Sequence, residues 1–160
     1  MSKQFNAPAA GTNEVDVQAT SGHVDFIGGQ GGENRYSFIA MKRFNAETGE
    51  TTIAGETQYQ SLRADGTFID AHGTVICVEI VGNTARFGAV GDHTFGLPEN
   101  TPHFGYFTVV DNGEGANDPP DMASNLFGGT EETVRQHCAT GHVPPPRLFP
   151  ILKGNVQVRP

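Results

Sequence analysis

From His23 onward, short apolar and β-branched runs alternate with glycine-bearing breaks about every 8 to 12 residues, the rhythm of an all-β sandwich or barrel. His23-Val24-Asp25-Phe26-Ile27 is the first expected strand. It is closed by Gly28-Gly29-Gln30-Gly31-Gly32, which lacks the Lys-Ser/Thr of a phosphate loop and leads into no helical pattern, so it reads as a plain connection. Residues 35–44 follow as a strand whose two faces are both partly apolar, as for a strand covered on each side. Ala46-Glu47-Thr48-Gly49 reverses the chain. Residues 51–60 are rich in Thr and predict a more exposed strand. Asp65-Gly66, a favoured dipeptide for a two-residue turn, then returns the chain through residues 67–72.

Residues 74–81, TVICVEIV, are the most apolar strand of the chain, with Ile76, Val78 and Ile80 on one face and Cys77, Glu79 and Val81 on the other. Gly82-Asn83 makes a second tight turn into residues 84–91, so turn chemistry alone sets three antiparallel neighbours. Residues 92–102 hold Pro98 and Pro102 and read as a loop before a strand over 103–110. A short strand is expected at 122–127. Residues 130–141 predict a single helix: a Thr130 cap, Glu131 and Glu132 in the first turn, Arg135 and His137 near the end, and Gly141 as terminator. Residues 142–150 carry four prolines and read as extended coil, and 152–158 alternate with period two as a final strand. The expected fold is all-β: a single antiparallel β-barrel, or a sandwich, with one short helix near 130–141. Residues 1–21, rich in Ala, Asn, Thr and Gln, read as a flexible lead-in to one domain over 22–160.

Composition narrows the picture. A chain of 160 residues suits one domain with one core, and 21 Gly, 10 Pro and 11 Phe without Trp suit strands joined by tight turns better than a helical bundle. The formal charge of -8, with the ten basic residues scattered, argues against nucleic acid as a partner. No apolar run approaches the roughly 18 residues that span a bilayer, so no membrane span is expected. The N-terminus as written has no apolar signal-peptide core. Two compartments fit: the cytoplasm, or an exterior reached by a mature secreted domain.

Candidate chemistry is concentrated in residues 111–121, DNGEGANDPPD, the densest cluster of side-chain oxygens. Asp111, Glu114, Asp118 and Asp121 are hard oxygen ligands of the kind calcium takes. Gly113 and Gly115 fall where an EF-hand needs side-chain oxygens, and the competing reading is a structural turn capped by Asp111 and Asn112. A zinc pair at Cys138 and His142 is interrupted by Gly141. No Gly-x-Ser-x-Gly elbow occurs. If a barrel encloses a pocket, strand residues would supply its polar groups, and the candidates are Tyr36, Tyr59, Glu79, Arg86, His103 and Tyr106.

Gly82-Asn83-Thr84-Ala85, the stretch from Val110 to Asp121, and the terminal Gly154-Asn155-Val156-Gln157-Val158 occur here in that order. In that order they resemble a group of small, mostly secreted bacterial proteins of unknown function. The resemblance covers roughly residues 22–158. It implies a small antiparallel barrel similar to the allene oxide cyclase and dirigent type, located outside the cytoplasm in the periplasm or beyond. It implies no activity. Cys77 and Cys138, the only two cysteines, are expected to be disulfide-bonded in such a compartment. The function expected is an exported binding or interaction module for a small apolar molecule or a protein surface, either alone or as a homo-oligomer. Its alternatives are a cofactor-free isomerase or cyclase using the barrel lumen, and a calcium-stabilised surface domain. No cofactor is expected beyond calcium at the acidic loop.

Overall fold

The computed structural model describes residues 14–66, 68–94, 103–141 and 147–159, which form ten strands, one helix and a single 3-10 turn. The strands are β1 (Glu14–Ile27), β2 (Glu33–Asn45), β3 (Glu50–Leu62), β4 (Phe68–Val81), β5 (Thr84–Thr94) and β6 (His103–Val110). Shorter pieces follow: β7 (Met122–Ala123), β8 (Phe127–Gly129), α1 (Glu131–Thr140), β9 (Phe149–Pro150) and β10 (Val156–Arg159). All ten strands belong to one antiparallel sheet in the order β10-β1-β2-β3-β4-β5-β6-β7-β9, with β8 also on β6. The all-β expectation with one helix holds.

Two expectations shift. Residues 14–21, assigned to the lead-in, are the first half of β1: Gln18 to Ser21 pair with Met41 to Phe38 on one side and with Arg159 to Val156 on the other. Val15, Val17 and Ala19 alternate with Asp16, Gln18 and Thr20, which is a strand pattern in polar dress. The expected strand at 122–127 is instead β7 and β8, separated by an irregular stretch in which Ser124 accepts the Tyr36 hydroxyl on its carbonyl at 2.6 Å.

The turns behave as their residues dictate. Gly82-Asn83 joins the pair Val81 and Thr84, with Gly82 at φ 62, where a side chain would be strained. Asn45 caps the β2–β3 turn by accepting from the Glu47 and Thr48 amides. Gly55 has a different task. At φ 142 its missing Cβ would lie 2.0 Å from the Ile39 carbonyl oxygen. From Glu50 to Gly55, β3 stays on β2 but no longer pairs with β4, whose ladder with β3 starts at Glu56. Across the resulting gap Lys42 of β2 forms an ion pair with Glu79 of β4.

The backbone ladder does not run full circle. The chain from β9 to β10 nevertheless bonds to both ends of the sheet: β9 pairs with β7, the Ile151 amide donates to the Asp121 carbonyl, and the Leu152 amide donates to the Asp25 carbonyl of β1. At β10 two amides point away from β1. Val156 N–H donates to Asp121 Oδ2 at 2.8 Å and Val158 N–H to Asp111 Oδ2 at 3.0 Å, so carboxylates stand where a neighbouring strand's carbonyls would be.

Inside the curve the aromatics meet. Phe87 lies 4.0 Å from Phe107 and 4.7 Å from Phe38, centroid to centroid, and Tyr36 stacks on Phe107 at 4.4 Å. Phe26 and Phe149 extend this cluster toward β9. A bulge between Val75 and Cys77 lets both Val75 and Val78 face this core while Cys77 turns outward. There it forms a disulfide with Cys138 of α1. The helix, capped by the Thr130 hydroxyl accepting from Thr133 N and ended by Gly141 at φ 82, lies over the outer face of β4, β5 and β6 and buries Val134, His137 and Cys138.

Candidate functional site

The sheet register places Thr57, Gly73, Gly91 and His103 side by side on β3, β4, β5 and β6. Two of those four positions have no side chain. With Gly105 on β6, they line a cavity of about 300 Å³ at this end of the sheet, beyond the aromatic cluster. Its apolar walls come from Ile69, Ala71, Ala89, Phe104, Phe107 and Leu126, and its polar groups are Thr57, Tyr59, Arg63, His72 and His103. Among the described residues no Asp or Glu lines it. Beyond Tyr59, Arg63 and Leu126, which border both spaces, a second and more polar compartment of about 490 Å³ is lined by Asn34, Ser61, Asp65 and Asn125.

Tyr59 is the hinge between the two. Its hydroxyl donates to Asn34 Oδ1 at 2.6 Å, and Asn34 in turn donates to the Gly32 carbonyl at 3.1 Å. Burial pushes the Tyr59 phenol up from its ordinary value, against a partial pull downward from a Ser61 hydrogen bond and the nearby Arg63 charge. Asn125 Oδ1 is buried beside this network without a hydrogen-bond partner among the described residues. Arg63 is exposed and has no carboxylate partner among them. His72 is half in the mouth, with Nε2 3.4 Å from Asp70 Oδ1.

Of the residues singled out from the sequence, His103 and Tyr59 reach this cavity and the others do not. Tyr36 is wholly buried in the core, and burial holds its phenol well above the usual range. Tyr106 points outward under α1, packed on Phe127 and on His137 at 4.6 Å. Arg86 donates to the Cys138 and Ala139 carbonyls and so covers the helix C-terminus. Glu79, its cross-strand neighbour, is drawn instead to Lys42. Glu79 and Arg86 therefore do not converge on a pocket.

The acidic loop folds onto the sheet seam. Asp121, buried, accepts from Asn112 N–H at 2.8 Å on one oxygen and from Val156 N–H on the other. Asp111 accepts from Gly113 and Val158, Asp118 from the Gly115 amide, and Glu114 from the Gln157 side chain. Both oxygens of Asp111 and Asp121, and one each of Glu114 and Asp118, are directed at N–H groups of the protein itself. Among the described residues no three His, Cys, Asp or Glu are grouped to hold a metal ion. His142, the second half of the zinc pair, lies outside the described residues.

Arg63 and His72 were not legible as site residues, because the cavity they border is lined from four strands and by Gly73, Gly91 and Gly105, which carry no side-chain signal. A row of glycines at matched register was the available signal. No family model matches the chain, and neither a curated protein nor a solved structure matches it. Nor is any helix among the described residues long and apolar enough to cross a membrane.

Proposed function

We propose that this protein is an exported binding module whose small ligand occupies the cavity between β3, β4, β5 and β6. The observation that carries this reading is a mainly apolar recess with a few convergent polar groups, Tyr59, Arg63, His72 and His103, at one end of a sheet otherwise filled by its own aromatics. The disulfide supports export, since such a bond persists in oxidising compartments. Thiol titration of the unfolded, unreduced protein from its native source tests the compartment: two free thiols would count against it.

The binding reading is tested by a thermal-shift screen of small apolar and phenolic compounds on the protein and on Ala89→Leu, which fills the recess. Hits that raise the midpoint of the parent but not of the filled variant support it. Hits indifferent to Ala89→Leu would move the binding site elsewhere.

The cyclase alternative needs an open apolar lumen. Phe38, Phe87 and Phe107 occupy the middle of that space, Phe68 faces outward at 43% exposure, and Phe104 borders the recess. A second reading, association of two copies, has one observation behind it. Ile27, Leu62, Phe68 and Leu152 are exposed on one outer face, bordered by Asp25, Glu33, Arg35 and Lys153, so the rim carries both signs as a self-complementary surface requires. Sedimentation analysis of the protein and of Phe68→Lys decides it; a parent that is monomeric at high concentration removes it.

A further inference from the structure

Against a net charge of -8, the cavity between β3, β4, β5 and β6 is an electrostatic exception. Among the described residues its lining holds one fixed cation, Arg63, and two imidazoles, His72 and His103, and no carboxylate. Among the described residues no acid is paired with Arg63. Asp70 is directed at His72, and Asp65 lies in the adjoining polar compartment with an interaction of its own. Arg63 sits where the two compartments meet, close enough for its charge to bear on the Tyr59 phenol. Guanidinium is the side chain best suited to a planar oxyanion, because its paired N–H donors match the two oxygens of a carboxylate. Behind it the walls of Ile69, Ala71, Ala89, Phe107 and Leu126 offer nothing polar to a ligand's far end.

Resting on the cavity reading above, we infer that the ligand is a small amphipathic carboxylate, its acid group at Arg63 and its short apolar body in the glycine-lined recess. The volume of about 300 Å³ admits a short alkyl chain or a single ring and not an extended lipid. Oδ1 of Asn125, buried on the polar side without a partner among the described residues, offers an acceptor to any hydroxyl or amide the ligand carries next to the acid.

Octanoate and 1-octanol share one apolar body and differ in charge, which makes them the probes. Binding is followed by amide chemical shifts of the whole protein at neutral pH, with dissociation constants from titration, for the parent and for Arg63→Gln. Because Arg63 is exposed, Arg63→Gln should unfold at the parent's midpoint, so lost binding will not reflect lost structure. The expected result is that octanoate moves the Gly73, Gly91 and Gly105 amides. It should bind at least about tenfold more tightly than octanol in the parent, a margin that Arg63→Gln removes. Equal binding of the two probes at those amides, unchanged by Arg63→Gln, would overturn the carboxylate while leaving the cavity reading in place. No shift from either probe at those amides would overturn both.

Discussion

At Gly88 a single hydrogen atom decides how α1 sits on the sheet. A Cβ there would lie 2.0 Å from Val134 Cγ1 and 3.2 Å from Cys77 Sγ, closer than any real contact in the first case. Gly88→Ala should therefore cost roughly 1–3 kcal/mol in urea unfolding as the helix is pushed off β5. Val134→Ala in the same chain should restore part of that loss; a double variant as unstable as the sum of the singles would refute the steric cause. Tyr36 carries a different liability. Its phenol is held well above its ordinary value by burial, and Tyr59 is raised for the same reason. In the unfolded chain both ionise near pH 10. The stabilisation they give is thus complete below about pH 10 and is lost as pH rises from there toward the folded values. Urea midpoints should be flat from neutral pH to about 9.5 and fall above it. Tyr36→Phe, which gives up the bond to Ser124, should cost roughly 1 kcal/mol at neutral pH yet show a shallower alkaline fall. Asp25 has the opposite sign: a hydrogen bond from Arg35 holds its carboxyl below the ordinary range, so its small contribution disappears in acid.

Among the elements, α1 was the most legible, because Thr130, the two glutamates and Gly141 each state a position in the helix by local chemistry. The two-residue turn at Gly82-Asn83 was legible for the same reason. What local chemistry could not state was where faces point. Glu79 and Arg86 were expected as pocket residues, but Glu79 pairs with Lys42 where the β3–β4 ladder has ended, and α1, folded back from far along the chain, takes Arg86 for its own carbonyls. The first half of β1 escaped notice because its outward positions are polar and its inward ones include small Ala19, a weak apolar signal for a residue that ends up fully buried. The disulfide was expected from the cysteine count and the inferred compartment, and it ties α1 to β4 across 61 residues. In the chain-entropy model such a link is worth roughly 4 kcal/mol. Replacing both cysteines by serine should lower stability by about that amount and raise hydrogen exchange at the 131–140 amides ahead of the sheet; equal protection in both proteins would show that packing alone holds the helix.

For the whole molecule, the acidic loop matters as a joint. Asp111 and Asp121 fasten β10 to the far side of the sheet through amides that no strand satisfies, so their value lies in accepting hydrogen bonds with both oxygens. Asp121→Asn, which puts a donor where one of two acceptors is needed, should cost roughly 2–3 kcal/mol. Thermal midpoints in excess calcium and in chelator should agree within about a degree, because no cation is needed to neutralise oxygens already bonded; a calcium-dependent rise of several degrees would return the loop to a metal role. The same joint carries a consequence for how the chain reaches this state. β1, the first of the described strands, has β10, the last of them, as a neighbour, and the amides fixed by Asp111 and Asp121 are at positions 156 and 158. Until residues 156–159 are in place, β1 presents an open edge, and the sheet is a template for any strand that drifts past. The closing step therefore waits for β10 and, given its sequence separation, is slow compared with the hairpins at Gly82 and Gly49. A chain truncated before residue 156 should be protease-sensitive and prone to associate, where the chain that includes β10 is resistant.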